Sequence, residues 1–210
     1  MDRYCSTELI AFHMLLEASL KMRFDLRNGD DYATVLGLAQ HHGLPTPLLD
    51  WTSSPYVAAF FAFSDAIEMA QSRPGASHVR VLGLTQDFID ITTVPTVMVS
   101  AVCPYVYSLS ISALHNPRLL AQQGRFLVTN TKNVESFIHF REAEDKKTYL
   151  YATDIPIQLA TEALEDLAFM GLTAATMFPG LDGMGRMIRH QMLFKTAKNV
   201  QRRADTFGNA

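Results

Sequence analysis

Between Gln40 and Ser54 the chain holds two adjacent histidines, His41 and His42, one carboxylate, Asp50, its only tryptophan, Trp51, and a hydroxyl run, Thr52-Ser53-Ser54. Gln40 and Thr46 add an amide and a further hydroxyl. These are groups that hold a polar ligand by hydrogen bonds, and Trp51 offers an aromatic face on which a base can stack. A shared metal ion is disfavoured, because neighbouring side chains on a helix point about 100° apart and His41 and His42 would diverge. Acyl transfer is not supported either, since the chain has no strained Gly-x-Ser-x-Gly elbow. A second cluster is Arg118-x-x-x-Gln122-Gln123-Gly124-x-Phe126. Its arginine suits a phosphate, and its glutamines can orient a nucleophile or bind a ribose hydroxyl without offering charge.

The elements that must position these groups can be read from local pattern. Leu9, Phe12, Leu16 and Leu20 recur at three and four, predicting a helix from Thr7 to Met22. Asp30 is the expected cap of a second helix that ends at His42, with Gly43 in the left-handed position beyond it. Pro45 and Pro47 then force Leu44 and Thr46 extended, and Leu48 to Thr52 reads as a short buried strand. Ser53 or Ser54 followed by Pro55 starts a nearly all-apolar helix running to about Ser72, expected to lie against a sheet or between layers.

Further strands are predicted at Ser77–Leu84, Val97–Val102, Val106–Ile111, Phe126–Thr129 and Thr148–Ile155. Short helical segments are expected at Thr85–Ile89 and from Asn116-Pro117 to Gly124, and a longer one from Pro156 to Gly171. Phe178-Pro179-Gly180-Leu181-Asp182-Gly183 is a turn whose Asp182 caps a final basic helix. In that helix Arg186, Arg189 and His190 read as a solvated face. Strands and helices interleave without a regular period, which predicts an α+β fold with a small antiparallel or mixed sheet packed with helices.

With 210 residues, 48% hydrophobic and 19% charged, the chain can bury a substantial core, and one domain is expected over residues 1–194. Residues 195–210 read as a basic, disordered C-terminal tail. A net charge of −3 provides no general field toward nucleic acid or anionic lipid. Cys5 and Cys103 match no metal or redox spacing, and no secretory leader or membrane-spanning run is present, so a cytoplasmic protein without a membrane partner is expected.

The stretch Gln40-His41-x-Gly43-Leu44-Pro45-Thr46-x-Leu48-Leu49-Asp50-Trp51-Thr52, followed by Pro55 and an Ala/Phe-rich helix, resembles the central motif of FRG domains, named after a Phe-Arg-Gly signature. Arg118-x-x-x-Gln122-Gln123-Gly124 and Phe178-Pro179-x-Leu181-Asp182-Gly183 resemble later blocks of the same family, so the likeness spans about residues 30 to 190. The Phe-Arg-Gly element itself is not found; Met22-Arg23-Phe24 has another order, and Asn28-Gly29 lacks the arginine. Pro47 stands where the family usually carries a further arginine.

The resemblance implies a fold like the half-barrel of ADP-ribosyltransferases and a nucleotide pocket, with NAD as the cofactor. It further implies ADP-ribosyl transfer in phage–host conflict or toxin biology, onto a protein or nucleic-acid acceptor that the residues do not identify. On that reading Asp50 and Gln123 are the catalytic candidates, Gln123 lying at the reacting ribose. Gln40, His41, Thr46, Trp51, Thr52 and Arg118 would bind the cofactor, Arg118 through phosphate. Where transferases keep a glutamate against the positive charge that develops on the ribose, this chain has glutamines. The alternative is therefore a non-catalytic nucleotide- or protein-binding module on the same scaffold.

Overall fold

The computed structural model describes residues 7–69, 75–93, 103–113 and 116–208, with side chains up to residue 194. In chain order the elements are α1 (Leu9–Leu20), α2 (Gly29–His41), β1 (Leu48–Thr52), α3 (Pro55–Glu68), β2 (His78–Leu84), α4 (Gln86–Thr92), β3 (Val106–Leu109) and α5 (Pro117–Ala121). There follow β4 (Gly124–Thr129), α6 (Val134–Asp145), β5 (Leu150–Pro156), a 3-10 turn (Ile157–Leu159), α7 (Ala160–Phe169), α8 (Ala174–Met177) and α9 (Leu181–Gly208). The fold is α+β with small sheets, as the mixed periodicity predicts. The strand expected at Val97–Val102 lies outside the described residues. Contacts within the chain gather into two compact units, residues 1–53 with 83–151 and residues 54–82 with 152–210.

The first unit is built on a three-stranded antiparallel sheet of order β1-β4-β3. Leu48 pairs with Val128, Asp50 with Phe126 and Thr52 with Gly124. Alternation along the strands gives the sheet two apolar faces. One face carries Leu48, Phe126, Val128 and Leu109 into a core with Leu9 and Leu16 of α1 and Val35, Leu36, Leu38 and Ala39 of α2. The other carries Val106 and Leu127 against Phe88 of α4, Ile138 of α6 and Tyr149. β1 is not the buried strand expected from its composition: only Leu48 is buried, and Leu49 is 39% exposed. The reason is position, since β1 is the edge of its sheet and has a neighbour on one side alone.

Helix α2 begins two residues earlier than expected. Asn28, not Asp30, is its cap, with Oδ1 accepting from the backbone N–H groups of Asp30 and Asp31. Asp30 and Asp31 then occupy the first turn, where a negative charge is favoured by the helix dipole. On the opposite side of this unit, Glu142 ties α6 to the start of β5. Its carboxylate accepts from Tyr149 N–H at 2.6 Å, Leu150 N–H at 2.9 Å and His139 Nδ1 at 2.7 Å. The His139 bond and the two amides pull its pKa from 4.5 to about 2.

In the second unit α3 is capped by Ser54, whose hydroxyl accepts from Val57 N–H, with Pro55 at the first helical position. Val57, Phe60 and Phe63 are buried with Ala160, Leu164 and Leu167 of α7 and Ala174 and Met177 of α8. The apolar helix packs mainly on another helix, α7, and shares its core with Val79 of β2 and Ile155 of β5. β2 pairs with β5 in a two-stranded ribbon on which Arg80 grips Asp154 through two bonds of 2.7 and 2.8 Å. In the backbone α9 runs from Leu181 to Gly208. Gly183 explains part of the Phe-Pro-Gly-Leu-Asp-Gly block, because a Cβ there would lie 1.9 Å from the Phe178 carbonyl oxygen and 2.7 Å from that of Ala174.

Candidate functional site

The last turn of α2 carries Gln40 and His41, and the helix ends in a closed geometry that fixes how the chain leaves it. Gly43 has φ 86°, its N–H donates to Gln40 C=O, and Leu44 N–H donates to Ala39 C=O. This is the paired-bond Schellman ending with glycine in the left-handed position. The turn sends Pro45-Thr46-Pro47 back toward β1 and places Thr46 beside Gln40. The Thr46 hydroxyl donates to Gln40 Oε1, and Gln40 Nε2 donates to Asp50 Oδ1 at 2.7 Å. Leu48 N–H in turn donates to Thr46 Oγ1 at 3.3 Å. With its carbonyl accepting and its amino group donating, the amide of Gln40 has one orientation.

Asp50 is crowded by its surroundings yet open to solvent, so its titration reflects two opposed effects. Loss of hydration raises the carboxyl pKa, and the bond from Gln40 lowers it in part, leaving a net rise. The carboxylate makes no other protein bond among the described residues, so its remaining lone pairs are available to a ligand.

The end of β1 is fastened to the turn between α5 and β4. Thr52 Oγ1 donates to Gln122 C=O at 2.8 Å, and Ser53 N–H donates to Gln123 C=O at 3.0 Å. Asn116 caps α5 by accepting from Leu119 N–H, and Pro117 is its first residue. The sequence pattern assigned the helix stop to Gly124, but Gln123 is the residue that turns, with φ 47°. Gly124, the first residue of β4, passes so close to Leu119 that a Cβ would sit 2.2 Å from Leu119 Cδ1 and displace that side chain. The side chain of Gln123 is exposed and makes no hydrogen bond among the described residues.

His41 is half-buried, and its imidazole is held below the ordinary pKa of 6.5, first by burial, then by His42, then by the charge of Arg118. The His41 and His42 rings meet edge to face at 4.9 Å between centroids. Arg118, on α5, is therefore near enough to α2 for its charge to be felt there. Asp50 lies in the strand beyond Gln40.

The eight sequence candidates fall on β1, on the end of α2 and the loop that lead into it, and on α5 with the turn that follows it. Gln40, Thr46 and Asp50 share a hydrogen-bonded chain, Thr52 and the adjacent Ser53 bond the carbonyls of Gln122 and Gln123 in the α5–β4 turn, and His41 and Arg118 are coupled electrostatically. Trp51 is not brought to them. Strand alternation turns it to the opposite face of the sheet, where it packs with the cluster around Phe88, Leu127 and Tyr149.

The sequence reading missed one polar constellation, in the second unit. His190 is not on a solvated face: it is 4% exposed, and its Nε2 lies 2.8 Å from Glu68 Oε1 on α3. Arg186 adds its Nε at 3.3 Å from the same oxygen and lays its guanidinium over the Phe178 ring at 4.6 Å. A separation of 122 residues hides such a pair. The available signal was the spacing Met187, His190, Phe194, which sets the histidine in the apolar seam of α9. Among the described residues no group of three or more His, Cys, Asp or Glu is placed to hold a metal ion, and no helix is long and apolar enough to cross a membrane.

No curated protein and no solved structure matches the chain. A family model described as "FRG domain" matches residues 7–71, from α1 through α3, and so contains the Gln40–Thr52 motif. The blocks around Arg118 and Phe178 lie beyond the matched stretch. Residues 7–71 match the FRG domain family.

Proposed function

We propose that the first unit binds a nucleotide of the NAD class at the end of β1. The observation that carries this reading is the chain Thr46–Gln40–Asp50, which holds a carboxylate rigidly from one side and leaves it open on the other. A ribose diol is a fitting partner, because its two hydroxyls donate to a carboxylate that has no other bond. Arg118 supplies the charge for a phosphate, and His41 lies within reach of that charge. The three-stranded antiparallel sheet serves in this reading as part of an ADP-ribosyltransferase-like half-barrel.

Transfer of ADP-ribose is the further step of the proposal, with Gln123 at the reacting ribose and Asp50 as the only carboxylate of the site. Gln122 and Gln123, standing where a charged glutamate would best meet an oxocarbenium-like centre, favour the second reading, a binding module without turnover. Incubation with NAD separates the two. Nicotinamide release that is lost in Asp50→Ala and Gln123→Ala marks a transferase, and saturable binding without release marks a module. Absence of binding by NAD and ADP-ribose alike removes both.

A further inference from the structure

The second unit contains a cavity of about 60 Å³ that no part of the proposed nucleotide site uses. Its walls are Phe60 of α3, Leu164 of α7, Leu172, and Met187 and Phe194 of α9, with Ala168 at the mouth. One buried polar side chain also faces it, His190. Glu68 as a carboxylate only accepts, so the His190 nitrogen 2.8 Å from it, Nε2, carries a proton. In the neutral ring the other nitrogen, Nδ1, is then an acceptor, and it meets no protein group among the described residues. Phe60 and Phe194 flank the ring at 6.2 and 6.3 Å between centroids and hold it in place.

Thr173 contributes little polarity to the cavity, because its hydroxyl is engaged in the capping box of α8 with Thr176. Besides His190 and Thr173 the polar side chain of the lining is Gln191, exposed on α9, and the other walls are mostly apolar. A single water needs roughly 10–15 Å³ of such a cavity, so its volume corresponds to a molecule of about four or five non-hydrogen atoms. We propose that this cavity is a binding site for a small amphipathic molecule, a short alkyl body bearing one hydroxyl, with the hydroxyl donating to His190 Nδ1.

The probe is propan-1-ol, titrated into the full chain labelled with ¹⁵N and ¹³C. The result expected is a saturable shift of the His190 ring nitrogens and of the Leu164 and Leu172 methyls, with a Kd on the order of 1 mM, typical of so small a ligand. Ala168→Leu, at an exposed helical position that tolerates the change, fills the mouth and should weaken binding about tenfold or more. His190→Phe keeps an aromatic ring between Phe60 and Phe194, removes the acceptor and leaves Glu68 with Arg186, so the fold should persist while alcohol binding is lost. Shifts that stay linear across the millimolar range, or equal saturation in wild type and Ala168→Leu, would overturn the proposal. Tight binding retained in His190→Phe would overturn the role of the imidazole. None of these outcomes bears on NAD binding, which is read separately in the first unit.

Discussion

Replacing Gln123 by glycine should stabilise the protein while removing a side chain from the candidate site. Gln123 has φ 47°, a left-handed conformation that costs a residue with a Cβ about 1–2 kcal/mol. Its backbone bonds, N–H to Leu120 C=O at 3.1 Å and C=O from Ser53 N–H at 3.0 Å, do not depend on the side chain and survive the change. The exposed side chain has no hydrogen bond among the described residues to lose. Against this gain stands the extra freedom of glycine in the unfolded chain, roughly 0.5–1 kcal/mol. The difference leaves about 0.5–1 kcal/mol in favour of Gln123→Gly, or a rise in Tm of about 2–4 °C. Urea unfolding followed by circular dichroism, with the slope unchanged and the midpoint raised, is the assay. A lowered midpoint would refute the reasoning, because it would mean that the side chain supports the turn. If the proposed function holds, the same variant should lose nicotinamide release, so that strain and function separate at one residue.

Glu142→Gln should cost about 2 kcal/mol at neutral pH, because three hydrogen bonds lose their charged acceptor. Since the folded pKa lies below the ordinary one, the wild-type contribution is full above pH 4.5 and is lost as pH falls toward about 2, and the pH dependence of unfolding in that window should flatten in the variant. Gly183→Ala should destabilise the second unit by about 3 kcal/mol or more, the new methyl meeting backbone oxygens that cannot yield; a midpoint within error of wild type contradicts the close approach of α9 to α8. His41, with its folded pKa below 6.5, makes the unfolded chain the stronger proton binder, so stability should fall as pH drops below the ordinary imidazole range. His41→Gln should reduce that slope, and an unchanged slope would remove His41 as its source.

Local rules were legible in the chain and long-range ones were not. Pro55 after two serines, Asn116 before Pro117, and Gly43 after a periodic helix each encode a helix end within a few residues, and the structure uses all three. Asp30 was the wrong cap because Asn28, two residues earlier, has the same short acceptor and reaches both free N–H groups. Leu48–Thr52 was legible as a strand but not as an edge strand, since edge or centre depends on partners 70 and more residues away. Its alternation does explain Trp51, which must face away from Asp50 and Thr52 once the strand is formed. The Gln40–Asp50 bond was within reach because ten residues joined by one turn bring the pair together, whereas Glu68 and His190 meet only through packing of α3 and α9.

The most direct test is calorimetric titration of NAD and ADP-ribose into wild type, Asp50→Ala and Arg118→Ala. Saturable binding to wild type that both substitutions weaken, with the fold intact by circular dichroism, is the predicted result. Binding that is absent in wild type, or unchanged in both variants, would contradict a nucleotide site at the end of β1.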